Sequence, residues 1–242
     1  MIWKYGDYEA LSYAAAGLFA QRARLSIEKT GRFSVALSGG HTPERAYQIL
    51  ADHPFSDRIP WEGVHIFWGD ERCVPPEDPM SNQGMIQRTL LDQVPIPPSQ
   101  IHPMGCWQSP GSAAMEYEKF LHEYFGSVHP NFDLVFLGLG ENGHTASLFP
   151  GKEVLHDTEH WVAEVYLPDQ NLYRLTLTAG IINQASMVAF LVSGAKKASV
   201  LKEILEGKFN PERLPAQLIK PQNGDLLWLV DQEASALLTK EV

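Results

Sequence analysis

The sequence predicts an α/β fold, a mostly parallel sheet with helices on both faces, formed by residues 1–242 as one domain. Three observations predict it. Apolar, β-branched-rich runs alternate with helical patterns along almost the whole chain, the order of a parallel sheet built through crossover helices. Runs such as "FDLVFLGLG" are apolar without alternation, as strands covered on both faces must be. The two Pro-rich connectors, "VPIPPSQIHPMG" and "KFNPERLPAQLIKPQNG", are short and flanked by elements of one kind, and no internal repeat or low-complexity segment interrupts the series.

Taken in order, "ALSYAAAGLFA" runs into "QRARLSIEKTG" as one long amphipathic helix ending at Gly31. "RFSVALS" is a strand, and a helix opens after it at "TPERAYQIL"; "VHIFWG" and "SNQGMIQRTLL" repeat the pair. "AAMEYEKFLHEYFG" has apolar positions three and four apart and stops at Gly126. "FDLVFLGLG", "WVAEVYL" and "YRLTLTA" are strands, the last running into the short helix "GIINQA". "SMVAFLVSG", the helix "AKKASVLKEILEG", the strand "DLLWLVD" and a closing helix complete the chain.

A hydrophobic share of 44% and a charged share of 20% supply a large core. The net charge of −10 argues against a general nucleic-acid or membrane-surface binder, which needs a basic surplus. It leaves room for a small anion held by a few local cations. The two cysteines, Cys73 and Cys106, show no C-x-x-C spacing, so buried or free thiols in a reducing compartment are expected rather than a disulfide framework or zinc ribbon. His156 and His160 are four apart in an exposed-looking loop, and no metal site is expected there. Asp7 and Glu9 outweigh Lys4 ahead of the first apolar run, which is not the pattern of a signal peptide, and no run approaches a membrane span. A cytoplasmic protein is expected.

In such a sheet, ligands gather at the carboxyl ends of the strands. Three strands here end in unusual segments. "SGGHTP" places Ser38, Gly39 and Gly40 ahead of a helix with Thr42 as its N-cap and Pro43 at its first position, an arrangement that offers backbone N–H groups to an anion. A plain strand-to-helix turn is the alternative. "WGDERCVP" sets Asp70, Glu71 and Arg72 directly after a buried strand, where Arg72 has the planar fork suited to phosphate or carboxylate, and the two acids could orient it or meet substrate hydroxyls. A solvated turn is the alternative there.

The third, "LGLGENGHTASLFP", spells G-x-G-x-x-G at Gly138, Gly140 and Gly143. A dinucleotide turn needs a long helix behind those glycines, and only "HTASLF" separates Gly143 from Pro150. The nucleotide-cofactor reading fails on that context. His144 remains, at the end of a strand and the start of a short helix, as a candidate general base; a structural histidine is the alternative. Arg174 in "YRLTLT", and Lys196 and Lys197 after "SG", add cations near the same edge.

Together, "SGGHTP", "WGDERCVP", "SNQGM", "GLGENGHTASLFP", "YRLTLT" and "SGAKKA", in this order, resemble the 6-phosphogluconolactonase family over nearly the whole chain. "GHTASLFP" is the most specific of them. The resemblance implies a Rossmann-like fold of the sugar-phosphate isomerase type. It implies hydrolysis of 6-phosphoglucono-δ-lactone in the oxidative pentose phosphate pathway, with no metal or organic cofactor. The expected substrate is a small sugar phosphate, with no nucleic-acid or membrane partner, and the chain is expected to be a monomer or weak homo-oligomer. His144 matches the family's catalytic histidine. Arg72, Arg174 and Lys196 or Lys197 match its cationic positions, and Ser38, Gly39, Gly40 and Thr42 match its phosphate-side loop. Asn142 stands where the family commonly has Asp and His41 where a Ser or Arg is usual, so the assistance given to the base is the point of departure. Glu141, Asp70 or Glu71 are the candidates to supply it. Two other functions stay open: a non-catalytic sugar-phosphate sensor, and a glucosamine-6-phosphate deaminase/isomerase, against which Ser147 and Leu148 stand in place of acids.

Overall fold

The apolar runs pair into a seven-stranded sheet in the spatial order β1 (Ile2–Tyr5), β10 (Asp225–Asp231), β9 (Met187–Val192), β6 (Leu134–Leu137), β2 (Phe33–Leu37), β3 (Val64–Trp68) and β5 (Ile101–His102), every neighbouring pair parallel. A second, antiparallel sheet joins β4 (Asp70–Arg72), β8 (Leu172–Leu177) and β7 (Val162–Leu167). The helices are α1 (Tyr8–Thr30), α2 (His41–Ala51), α3 (Phe55–Arg58), α4 (Asn82–Thr89), α5 (Pro110–Phe125), α6 (Ala179–Ile182) and α7 (Ala198–Glu206). These are elements of a computed structural model that describes residues 1–106, 109–126 and 131–239.

Strand β2 is buried at all five positions, as are β6 and β9 along their lengths, which is why these runs do not alternate. The pleat sends alternate side chains to opposite faces. Phe33 on one face of β2 meets Phe19 of α1 with ring centroids 5.2 Å apart. Phe67 on the opposite face of the neighbouring strand β3 meets Tyr124 of α5 at 5.0 Å. Helices therefore cover both faces of the central strands.

The structure departs from the sequence reading at several points, each with a local cause. "WVAEVYL" and "YRLTLTA" do form strands, but in the antiparallel sheet; in β7 only Val162, Val165 and Leu167 are buried and the other three positions are partly or fully open. "DER" is a strand, not a loop, because it pairs with β8. Helix α2 begins two residues earlier than expected, with Gly40 rather than Thr42 as its N-cap, since the positive φ of Gly40 (101°) makes the turn. No short helix follows His144: Gly143 and Ala146 adopt left-handed conformations (φ 82° and 46°) that a right-handed helix excludes. Residues 232–237 after β10 form turns in place of the closing helix. Finally, Cys73 and Cys106 are joined in a disulfide rather than standing as thiols. Cys73 continues the β4 ladder by donating its N–H to Tyr173 O, and Cys106 follows β5, so two residues 33 apart in sequence come within 4.9 Å at Cα.

Candidate active site

From the boundary between β2 and β6 the chain winds in opposite directions, β2 to β3 on one side and β6 to β9 on the other. Loops leaving such a boundary diverge and open a crevice at the carboxyl ends. A cavity of about 430 Å³ lies there, lined from the ends of β2, β6 and β9 and from the β4–β8 sheet.

The β2 loop approaches its neighbours closely. A side chain at Gly39 would collide with Asn82, whose Oδ1 lies 1.8 Å from where a Cβ would stand. Tyr47 fixes the loop from beneath: its hydroxyl donates to Ser38 O (2.9 Å) and accepts from Ser38 N (3.1 Å). Helix α2 has no side-chain cap, which leaves its N-terminal end available to an anion. Thr42 Oγ1 lies 2.8 Å from Ser193 Oγ and ties this loop to the end of β9. Ser38 Oγ is buried against the cavity without a hydrogen-bond partner.

The antiparallel sheet brings charge over the strand ends. Gly69 connects the two sheets, donating to Leu37 O (2.8 Å) and accepting from Leu177 N (2.9 Å). Register then places Asp70 opposite Thr176 and Arg72 opposite Arg174. Asp70 is buried; its Oδ2 accepts from Ser147 Oγ at 2.7 Å and lies 4.0 Å from Arg174 Nη1. Arg72 donates to Met80 O (2.5 Å) and Arg174 to Gln170 Oε1 (2.8 Å). The Nε atoms of both arginines are buried and unpartnered. Burial lowers the Arg174 pKa, opposed by Asp70 and reinforced by Arg72. Glu71, expected to meet substrate, turns away from the cavity. It accepts backbone N–H groups of Asn82 (2.8 Å), Gln83 (2.6 Å) and Arg72 (2.6 Å) and so anchors the start of α4. Burial pushes its carboxyl up to about 7 against the pull of those donors.

His144 enters the cavity from the β6 loop. Its Nδ1 lies 2.5 Å from Asn142 Oδ1, and its ring stacks on Phe149 with centroids 4.2 Å apart and planes 25° apart. Gly140 must be glycine: a Cβ there would stand 2.0 Å from His144 Nδ1. Burial drives the His144 pKa down to about 4; Asp70 opposes the shift, while Arg174, Lys197 and Arg72 add to it. The imidazole is therefore neutral at pH 7, the state a general base needs.

The chain that builds this cavity matches a described family. The model for "Glucosamine-6-phosphate isomerases/6-phosphogluconolactonase" fits residues 6–228. The chain belongs to that family. A 6-phosphogluconolactonase of Synechocystis sp. is 43% identical over 217 residues, 88% of this chain and 88% of that one. One of Nostoc sp. is 38% identical over 237 residues, 96% of each chain. The solved structure of 6-phosphogluconolactonase from Trypanosoma brucei has a TM-score of 0.85 at 27% identity, covering 99% of this chain and 98% of its own.

The family match spans every segment that lines the cavity. Of the residues singled out in the sequence, Ser38, Gly39, Gly40, Thr42, Asp70, Arg72, His144, Arg174 and Lys197 line it. Lys196 does not; it lies with Asn142 in an adjoining recess beside Arg213 and Glu203. Asn142 reaches the site only through His144. Sequence reasoning missed Asn82, Ser147 and Phe149. Asn82 stands in the "SNQGM" motif and binds the Asp70 carbonyl at 2.9 Å; Ser147 and Phe149 sit inside "GHTASLFP" but act on Asp70 and His144 through contacts that spacing alone does not reveal. Among the described residues no group of three or more His, Cys, Asp or Glu side chains could hold a metal ion, and no helix is long and apolar enough to cross a membrane.

Proposed function

We propose that this chain hydrolyses 6-phospho-D-glucono-1,5-lactone to 6-phospho-D-gluconate, as a step of the oxidative pentose phosphate pathway, in the cytoplasm and as a single domain. One observation carries the reading: a neutral imidazole and two opposed, partly unpartnered arginines share one cavity. The first suits attack by water on an ester carbonyl, the second a dianionic phosphate remote from the reacting carbon.

In this reading Arg72, Arg174 and Lys197 receive the 6-phosphate together with Ser38 Oγ, Thr42 and the N-terminal end of α2. Binding energy at the phosphate then orients C1 of the lactone against His144. Water attacks C1 as His144 Nε2 takes its proton, and the carbonyl electrons move to oxygen to give a tetrahedral oxyanion. The carbonyl re-forms as the C1–ring oxygen bond breaks, and the imidazolium returns the proton to the departing ring oxygen. Backbone N–H groups of the glycine loops are of the kind that serves as oxyanion donors. Each role is filled by a side chain or backbone group of the cavity, so the scheme calls for no cofactor.

The test is a lactonase assay with substrate generated in place from glucose 6-phosphate and spontaneous opening subtracted. Wild type accelerates lactone decay and His144→Ala falls by a factor on the order of 10² to 10⁴. Activity that survives the substitution removes His144 from the role. Absence of acceleration in wild type, with the sugar phosphate still bound, overturns the enzyme reading.

A further inference from the structure

We propose that Asn142 is the positioning residue that fixes His144 as the Nδ1–H tautomer, with Nε2 as the basic nitrogen, and does so without adding charge. The inference deepens the reading of His144 as general base and rests on it for its consequence in catalysis.

The backbone N–H of His144 can only donate, and it points to the Asn142 side-chain atom 3.2 Å away. That atom must therefore be the amide oxygen, since the amide nitrogen accepts nothing. The same oxygen lies 2.5 Å from His144 Nδ1. An oxygen with no proton of its own accepts, so Nδ1 carries the hydrogen and the lone pair is left on Nε2. Among the described residues Nε2 has no protein partner, and His144 lines the cavity.

The ring is held on its other sides as well. Gly140 leaves room against Nδ1, donates its N–H to His144 O (2.8 Å) and accepts from Gly143 N (3.0 Å), which closes the turn on itself. Phe149 covers one ring face, and the Arg174 guanidinium lies 5.7 Å from that Phe149 ring. The imidazole is thus gripped at one edge and one face, with the opposite edge left for substrate.

Neutrality is the second half of the proposal. The charged groups facing His144 are Asp70 and Arg72 from β4, Arg174 from β8 and Lys197 from the segment after β9; Glu141, in its own loop, acts on Lys197. Three cations face one carboxylate, and burial works in the same sense as the cations. An amide at 142 orients the ring and leaves this balance untouched. A carboxylate in its place would lie in contact with Nδ1 and favour the imidazolium. Burial and the three cations therefore keep the base unprotonated well into the acid range, and Asn142 adds no charge to oppose them.

The experiment is ¹⁵N NMR of the histidine rings of the full chain, with His144 assigned by loss of its signals in His144→Gln, run beside pH profiles of lactone hydrolysis. Wild type should show Nδ1 protonated and Nε2 bare at pH 7. Asn142→Asp should raise the His144 midpoint by a full pH unit or more and move the acid limb of the rate profile up with it. Asn142→Ala should lose the single tautomer and lower kcat on the order of 10- to 100-fold with KM unchanged and native circular dichroism. A wild-type ring protonated at Nε2, or an Asn142→Asp midpoint equal to wild type, overturns the proposal. If the tautomer is as assigned but His144→Ala retains activity, the positioning stands and the catalytic reading falls.

Discussion

Arg72 and Arg174 stand directly opposite one another on the β4–β8 ladder, and among the described residues the one carboxylate within 4.0 Å of either is Asp70, at the edge of that range from Arg174. Like charges opposite each other on a sheet destabilise it by roughly 0.2–1 kcal/mol, and here each guanidinium also keeps a buried Nε unpaired. A bound dianion removes both costs. Arg72→Met should therefore leave the free protein's Tm unchanged or slightly higher while raising KM for the sugar phosphate by about 10- to 100-fold, the effect of about 1.5–3 kcal/mol for a hydrogen bond to a charged group. Millimolar inorganic phosphate should raise the Tm of wild type and not of the variant, by mass action on the folded state. Equal protection of both proteins would remove Arg72 from the anion site.

Gly140 makes a sharper demand. A methyl group there would occupy the position of the His144 ring, 2.0 Å from Nδ1, so Gly140→Ala must push the imidazole away from Asn142. A displacement near 1 Å at a reacting group costs on the order of 10² in rate. The expected outcome is a drop in kcat of about that size with little change in KM, because the phosphate side of the cavity is untouched. Steady-state kinetics at pH 7 decide it: a variant with wild-type kcat would show that catalysis does not depend on the ring's place beside Gly140.

How much of this was legible beforehand follows from what kind of signal each feature leaves. The parallel strands were readable because β2, β6 and β9 are buried on both faces and say so in unbroken apolar runs. Several of the cavity's polar residues are readable because they stand in the segments that leave those runs: Ser38 after β2, His144 in the loop after β6, Lys197 in the turn after β9. The antiparallel sheet is legible only in part, since "DER" looks like a charged turn until β8 lies beside it. Glu71 could not be told from Asp70 by spacing; the pleat that sends Asp70 into the cavity sends Glu71 toward the backbone of α4. Lys196 and Lys197 are separated by the turn they stand in, where neighbouring residues point in different directions. The disulfide left no local trace, being made by two distant segments that only the fold brings together.

Acid stability should carry the mark of His102. Its imidazole lies against Phe67 and Phe120 and within 3.3 Å of His65, and burial drives its pKa down to about 4, with His65 adding to the shift. The folded pKa is thus below the unfolded value of about 6.5. Between those two values the unfolded chain binds the proton more readily, so stability is fully present above about pH 6.5 and falls as the pH drops toward 4. His102→Phe removes this contribution. Urea midpoints at pH 7.5 and pH 5 should separate the two proteins, with wild type losing more on acidification. The same loss in both would locate the acid sensitivity elsewhere, with His144 the next group to test.

The Cys73–Cys106 bridge sets the last expectation. It ties the residue next to Arg72 to the segment following β5, the two-residue strand at one end of the parallel sheet. A cross-link closing 33 residues restricts the unfolded chain by about 3–4 kcal/mol on the loop-entropy account. Cys106→Ser should lower the free energy of unfolding by about that amount, and a dithiol reductant should do the same to wild type and nothing further to the variant. Because β4 is also held by its ladder to β8 and by Gly69 to Leu37, kcat should change far less than stability. Urea unfolding with and without reductant, beside lactone hydrolysis in the same buffers, separates the two. If reductant leaves the unfolding midpoint of wild type where it was, the bridge contributes nothing to folding; if it abolishes hydrolysis in a folded protein, β4 depends on the bridge for the placement of Arg72.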